Sequence, residues 1–119
     1  MPDKVAVVVL ADKEGIENLG RVVNAMETVK EFKQANEEAH LIFDGAGTRW
    51  FAEFSKPDFK YKELYNSVKD KITGACSYCA SAYQVKDKVE AENITLLDEF
   101  EGHPSLRKLV SQGYQVITF

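Results

Sequence analysis

Lys4-Val5-Ala6-Val7-Val8-Val9-Leu10 is an unbroken apolar run in which β-branched residues dominate. A strand with one wet face alternates apolar and polar side chains. A continuous run instead suits a strand covered on both faces, as in a parallel sheet. After the break at Ala11-Asp12-Lys13-Glu14-Gly15, the residues Ile16, Leu19, Val22, Val23, Met26, Val29 and Phe32 recur at helical spacing. Glu17, Asn18, Arg21, Glu27, Lys30 and Lys33 fill the other side, so an amphipathic helix of about five turns is predicted, ending near Ala35-Asn36.

The same alternation continues along the chain. Ala39–Phe43 reads as a second strand, and Asp44-Gly45-Ala46-Gly47-Thr48 as the loop at its carboxyl end. Trp50, Phe51 and Phe54 fit a short helical turn, and Ser55-Lys56-Pro57-Asp58 is a breaker cluster. Tyr61, Leu64, Tyr65, Val68 and Ile72 return to helical spacing. A third strand over Ile72–Ala75 then leads into a helix from about Ser77. Val85 to Glu92 reads as a helix closed by Asn93, a residue that tolerates the left-handed conformation. Ile94–Leu97 is strand-like. Gly102-His103-Pro104-Ser105 opens a helix with proline near its first position. Its stripe is Leu106, Leu109 and Val110, Gly113 ends it, and Tyr114–Phe119 is the closing strand.

Strands alternating with helices predict one α/β domain over residues 1–119. The expected architecture is a three-layer α/β/α sandwich around a mainly parallel sheet of about five strands, with right-handed crossovers. In such sheets sites gather beyond the carboxyl ends of the strands. Asp12, Asp44–Thr48, Cys76 and Asp98–His103 are all expected there.

Composition excludes several classes. The chain has 119 residues and a formal net charge of −4, with a pI near 5.2. There is no electrostatic footprint for nucleic acid or an anionic membrane surface. The apolar run after Met1-Pro2-Asp3-Lys4 is too short for the hydrophobic region of a signal peptide, and no stretch approaches a membrane span. A cytoplasmic setting is expected, where a close cysteine pair points to metal binding or redox chemistry rather than a structural disulfide.

Both cysteines lie in Thr73-Gly74-Ala75-Cys76-Ser77-Tyr78-Cys79-Ala80. Cys76 falls where the third strand turns into a helix. A thiol there sees unsatisfied backbone N–H groups and the positive helix end, both favouring thiolate, the nucleophile in disulfide exchange and in attack on a persulfide. Gly74 and Ala75 leave room for a partner's backbone or a bulky sulfur donor. The competing reading is a small apolar residue filling the end of a core strand, since free cysteine is often buried. Cys79, three residues on, faces the same side. It is placed to resolve a disulfide, displace sulfur from a Cys76 persulfide, help hold a metal, or simply pack in the first turn.

A thioredoxin-like site would sit earlier in its domain with a proline strand downstream, whereas here the pair lies past the midpoint and Pro104 opens a helix. A structural zinc site needs four ligands, and only His40 and His103 remain, far apart in sequence. No metal or other cofactor is therefore expected. Asp44, Gly45 and Gly47 form a loop able to present N–H groups to an anion. It lacks the third glycine of a dinucleotide fingerprint and the lysine of a P-loop, so a tight turn needing glycine conformations explains it better than an anion site does. His103 is a proton donor or a capping group near the site, or a surface histidine before Pro104. Asp12, Asp44 and Asp98 cap helices or polarise the site. Trp50, Phe51 and Phe54 are core or a contact patch for another subunit.

Four features together resemble the DsrE/DsrF-like family of small sulfur-relay proteins, which includes the TusD and YchN types. They are the apolar first strand leading into a long helix with Asn24 and Ala25, and the glycine-containing loop Asp44–Gly47. Gly74–Cys79 looks like the family's strand-end cysteine followed three residues later by Cys or Ser, and Leu106–Phe119 like its closing helix, glycine and strand. The resemblance spans nearly the whole chain. It implies a doubly wound fold, frequent homo- or hetero-oligomers, and a persulfide-carrying cysteine that falls by position on Cys76. The expected function is a cytoplasmic sulfur relay between donor and acceptor proteins, a carrier more than an enzyme. Two alternatives stay open: an oligomeric small-ligand-binding module with Cys76 merely packed, and a thiol-redox sensor using Cys76 and Cys79.

Overall fold

The unbroken valine run becomes an interior strand. In the computed structural model, which describes residues 3–119, β1 (Lys4–Val9) pairs in parallel with β2 (Glu38–Phe43) on one side and β5 (Gln115–Thr118) on the other. Val5 to Val9 are each at most 1% exposed, which is the covering on both faces that a run without polar alternation requires. Met1 and Pro2 of the lead-in lie outside the described residues.

β3 (Ile72–Cys76) and the two-residue β4 (Leu96–Leu97) extend the sheet in the order β4-β3-β2-β1-β5, with every pairing parallel. The helices are α1 (Ile16–Gln34), α2 (Phe51–Phe54), α3 (Lys62–Val68), α4 (Ser77–Ala82), α5 (Lys86–Ala91) and α6 (Leu106–Ser111). This is the expected α/β/α sandwich. α1 stops as predicted: Ala35 caps it, Asn36 turns left-handed at φ 59°, and the Glu37 N–H returns to the Phe32 carbonyl at 3.0 Å. Among the described residues, no helix is long and apolar enough to cross a membrane.

Val5, Val7 and Val9, with Leu41, Phe43 and Ala75, form one sheet face of the core, against Val22, Ala25, Met26 and Val29 of α1. Trp50, Phe51 and Phe54 belong to this core, each at most 2% exposed, and are not a contact patch. Phe54 stacks on Tyr65 at 4.3 Å between ring centroids and meets Phe43 and Phe51 edge-on. This aromatic knot holds the 3-10 turn Gly45–Trp50 against α4 and β3.

Three local expectations need correction. Ile94 is not in a strand: its N–H closes the end of α5 on the Val89 carbonyl after Asn93 turns left-handed, so β4 starts only at Leu96. The last helix does not open at Pro104. Ser105 caps it, accepting from the Lys108 N–H at 3.2 Å, while Gly102 and His103 belong to a tight antiparallel turn bridging Phe100 and His103. The space beside Gly74 is not free for a partner. A side chain there would meet the Thr95 carbonyl and Leu97 at 2.6 Å, so the glycine lets β4 dock on β3.

Candidate functional site

The carboxyl ends of three neighbouring strands deliver four side chains to one place. β2 ends at Phe43, and Asp44 follows as the cap of the 3-10 turn, its Oδ1 accepting from the Gly45 N–H at 2.8 Å. β3 ends on Cys76, whose Sγ accepts from the Cys79 N–H at 3.3 Å as α4 begins. Beyond β4 the chain doubles back through Phe100–His103 and lays His103 over the cysteines. The Cys76 Sγ lies 3.2 Å from His103 Nδ1, and the Cys79 Sγ lies 4.0 Å from the same nitrogen. The Cys79 thiol also donates to Asp44 Oδ1 at 3.5 Å. One ligand atom from each of Asp44, Cys76, Cys79 and His103 falls within 4.8 Å of every other.

The turn that carries His103 works as a cover. Phe100 and His103 exchange both backbone hydrogen bonds, and the Gly102 carbonyl accepts from the Tyr78 N–H at 2.8 Å. The Tyr78 ring packs on the His103 ring at 5.0 Å. Gly102 takes φ +86°, which glycine adopts without a side-chain penalty. As a result Cys76 is 0% exposed and Cys79 8% exposed, and both are free thiols. Burial pushes the Cys76 thiol up to about 12, assisted by the Cys79 thiol and the Asp44 carboxylate and opposed by the Cys79 N–H. The expectation that a helix start would favour thiolate is thus reversed. α4 is one short helix supplying a single N–H to sulfur, and desolvation outweighs it.

The remaining expected site residues have other work. Asp12 stands apart from the thiol cluster and grips Arg49 through both carboxylate oxygens at 2.8 and 2.7 Å. Gly45 adopts φ +54° to turn the chain, and Gly47 has the Val9 carbonyl 2.1 Å from where a Cβ would sit. Those two glycines shape the loop that presents Asp44 and touch none of the sulfurs in that role.

Two features escaped the sequence reading. Arg49 was overlooked, although it follows the loop after β2 as Asp12 follows β1, and adjacent strand ends bring such groups together. The second is a polar network at the opposite edge of the sheet. His40 Nδ1 meets Thr73 Oγ1 at 2.5 Å and His40 Nε2 meets the Tyr114 hydroxyl at 2.9 Å. Tyr114 in turn donates to Glu38 Oε2. A histidine alternating with apolar residues in Ala39–Phe43 was the available signal.

The family model described as the DsrE/DsrF-like family matches residues 4–119. The uncharacterized protein MJ0733 of Methanocaldococcus jannaschii is 26% identical over 100 residues, covering 84% of this chain and 81% of that protein. The structure of a conserved protein of unknown function, BT1422 from Bacteroides thetaiotaomicron, shares the fold with a TM-score of 0.58. Its identity is 13%, over 96% of this chain and 94% of that chain.

Proposed function

The chain belongs to the DsrE/DsrF-like family, and from that premise we propose that it is a sulfur-relay protein carrying sulfane sulfur on Cys76 as a persulfide. The observation that supports this best is the 3.2 Å contact between the Cys76 Sγ and His103 Nδ1. A buried thiol pushed up to about 12 is inert at neutral pH. Relay chemistry therefore needs a base in contact with it, and His103 is that base.

In the loading step His103 Nδ1 takes the Cys76 proton, and the thiolate attacks the outer sulfur of a donor persulfide, R–S–S–H. The donor S–S bond breaks, a new S–S bond forms on Cys76, and the donor leaves as a thiolate that recovers the proton from His103. The balance is Cys76–SH plus R–S–SH giving Cys76–S–SH plus R–SH, with no net oxidation. In unloading, an acceptor thiolate takes the outer sulfur and Cys76 leaves as the thiolate. Cys79 stays beside the added sulfur as a helper.

Entry requires the Phe100–His103 turn to swing off the cysteines. Phe100 on that turn is 63% exposed, an apolar handle for a donor or acceptor protein. Leu106 and Val110 are exposed on the helix that follows, a surface suited to assembly with further copies of the chain. A reducing cytoplasm keeps both thiols free for the cycle.

The test is to incubate the reduced chain with inorganic polysulfide and read intact mass. One added sulfur, removable by dithiothreitol and absent in Cys76→Ser, is expected. No adduct on wild type, or one undiminished in Cys76→Ser, overturns the reading.

A further inference from the structure

We propose that Asp44, Cys76, Cys79 and His103 form a four-coordinate site for a thiophilic divalent cation of the Zn²⁺ kind. Ligand counting along the sequence missed it because the third and fourth donors come from separate loops, after β2 and after β4. The fold closes that gap: all four donor atoms lie within 4.8 Å of one another.

Three of the six donor–donor separations lie around the spacing a tetrahedral ion sets, and the other three are within 4.8 Å. Tetrahedral zinc with Zn–S of about 2.3 Å and Zn–N or Zn–O of about 2.0–2.1 Å separates its ligand atoms by about 3.4–3.8 Å. The three separations that carry hydrogen-bond contacts are 3.2 Å for Cys76–His103, 3.5 Å for Cys79–Asp44 and 4.0 Å for Cys79–His103. Side-chain shifts of a few tenths of an ångström regularise them.

The surroundings are also those of a ligand set. The Cys79 N–H already points at the Cys76 sulfur, and the Gly45 N–H orients the Asp44 carboxylate. Such secondary contacts hold metal ligands in position. Two thiols and an imidazole favour zinc-like ions over Mg²⁺ or Ca²⁺, which prefer oxygen donors. Seating the ion turns both thiols into thiolates, sends their two protons to solvent, and moves no electrons. Four protein donors leave no open position, so the bound ion fastens the Phe100–His103 turn down over the sheet edge. Metal and sulfur then compete for Cys76.

The site stands independently of the relay reading, and its test is independent too. The reduced, metal-stripped full chain is titrated with Co²⁺ and followed by absorption. Expected are one equivalent bound, a thiolate-to-cobalt charge-transfer band, the intense visible bands of tetrahedral cobalt, and displacement by one equivalent of Zn²⁺. Cys79→Ser and Asp44→Asn each lose or weaken the stoichiometric spectrum, whereas His40→Gln keeps it, with folding of each variant checked by circular dichroism. Absence of a one-to-one complex in the folded wild type, an octahedral spectrum, or a spectrum unchanged in Cys79→Ser and Asp44→Asn overturns the proposal. Sulfur loading, read separately by mass, does not enter any of these outcomes.

Discussion

The two edges of the sheet hold similar kinds of groups arranged to opposite effect. At the amino-terminal side, Glu38, His40, Thr73 and Tyr114 form a chain whose proton positions follow when His40 is neutral, the form its burial favours. Tyr114 gives its only proton to Glu38, so its oxygen accepts from His40 Nε2, and His40 Nδ1 accepts from Thr73. Every donor finds an acceptor, and a neutral histidine completes the chain. At the carboxyl side, Asp44, Cys76, Cys79 and His103 sit as close, but two of the four are thiols with long, weak contacts of 3.2 to 4.0 Å. A satisfied network of hard donors locks strands together. A cluster of soft, protonated sulfurs beside a histidine has protons to give up and contacts loose enough to rearrange. The difference lies in the partners of each histidine, and it separates a structural edge from the one proposed to carry the chemistry.

Exchanging the two histidines tests that contrast most strongly. His103→Ala removes the base from Cys76 and is expected to slow polysulfide loading about a hundredfold or more at neutral pH, in the range of a lost general base. His40→Ala is expected to leave the loading rate within about a factor of two, while lowering stability by roughly 1–3 kcal/mol because Thr73 and Tyr114 lose a partner. Loading rates from mass-resolved time courses, with urea denaturation alongside, read both. Equal loading by His103→Ala and wild type would remove the distinction between the edges.

How much of this was legible follows from range. The valine run, the stripe of α1 ending near Ala35-Asn36 and the left-handed stop at Asn93 are local patterns, and each appears where the local sequence predicts it. The position of Cys76 at a strand end was equally local. That His103 reaches Cys76 depends on a non-local event, the docking of β4 on β3 beside Gly74 and the reversal through Phe100–His103. No spacing in the sequence reports that approach. The protonation of Cys76 is open in the sequence for a related reason: a helix start is visible there, while the covering turn that desolvates the sulfur is not. The small side of Gly74 reads in sequence as room for a partner, and in the fold that room is taken by the chain's own Thr95 and Leu97.

That docking gives the second prediction. Gly74→Ala places a methyl 2.6 Å from the Thr95 carbonyl and from Leu97, and backbone must move to admit it. A loss of roughly 1–3 kcal/mol is expected, the usual cost of overpacking, measured as a lower urea midpoint. Because β4 leads directly into the covering turn, alkylation of Cys76 by iodoacetamide is expected to be several-fold faster. A destabilised variant with unchanged alkylation would show that the cover does not depend on β4.

The smallest effect belongs to the locked edge and is a pH effect. Burial holds His40 below its ordinary value of 6.5, outweighing the nearby Glu38 carboxylate that acts the other way. As pH falls below about 6.5, the unfolded chain takes up a proton at this position before the folded chain does, so stability declines through that window and levels off once the folded form protonates as well. His40→Gln keeps a donor and an acceptor in the network but cannot titrate. Urea midpoints at pH 7 and pH 5 are therefore expected to fall further apart in wild type than in His40→Gln. An acid decline as steep in His40→Gln as in wild type would show that this buried histidine does not couple proton uptake to the stability of its edge.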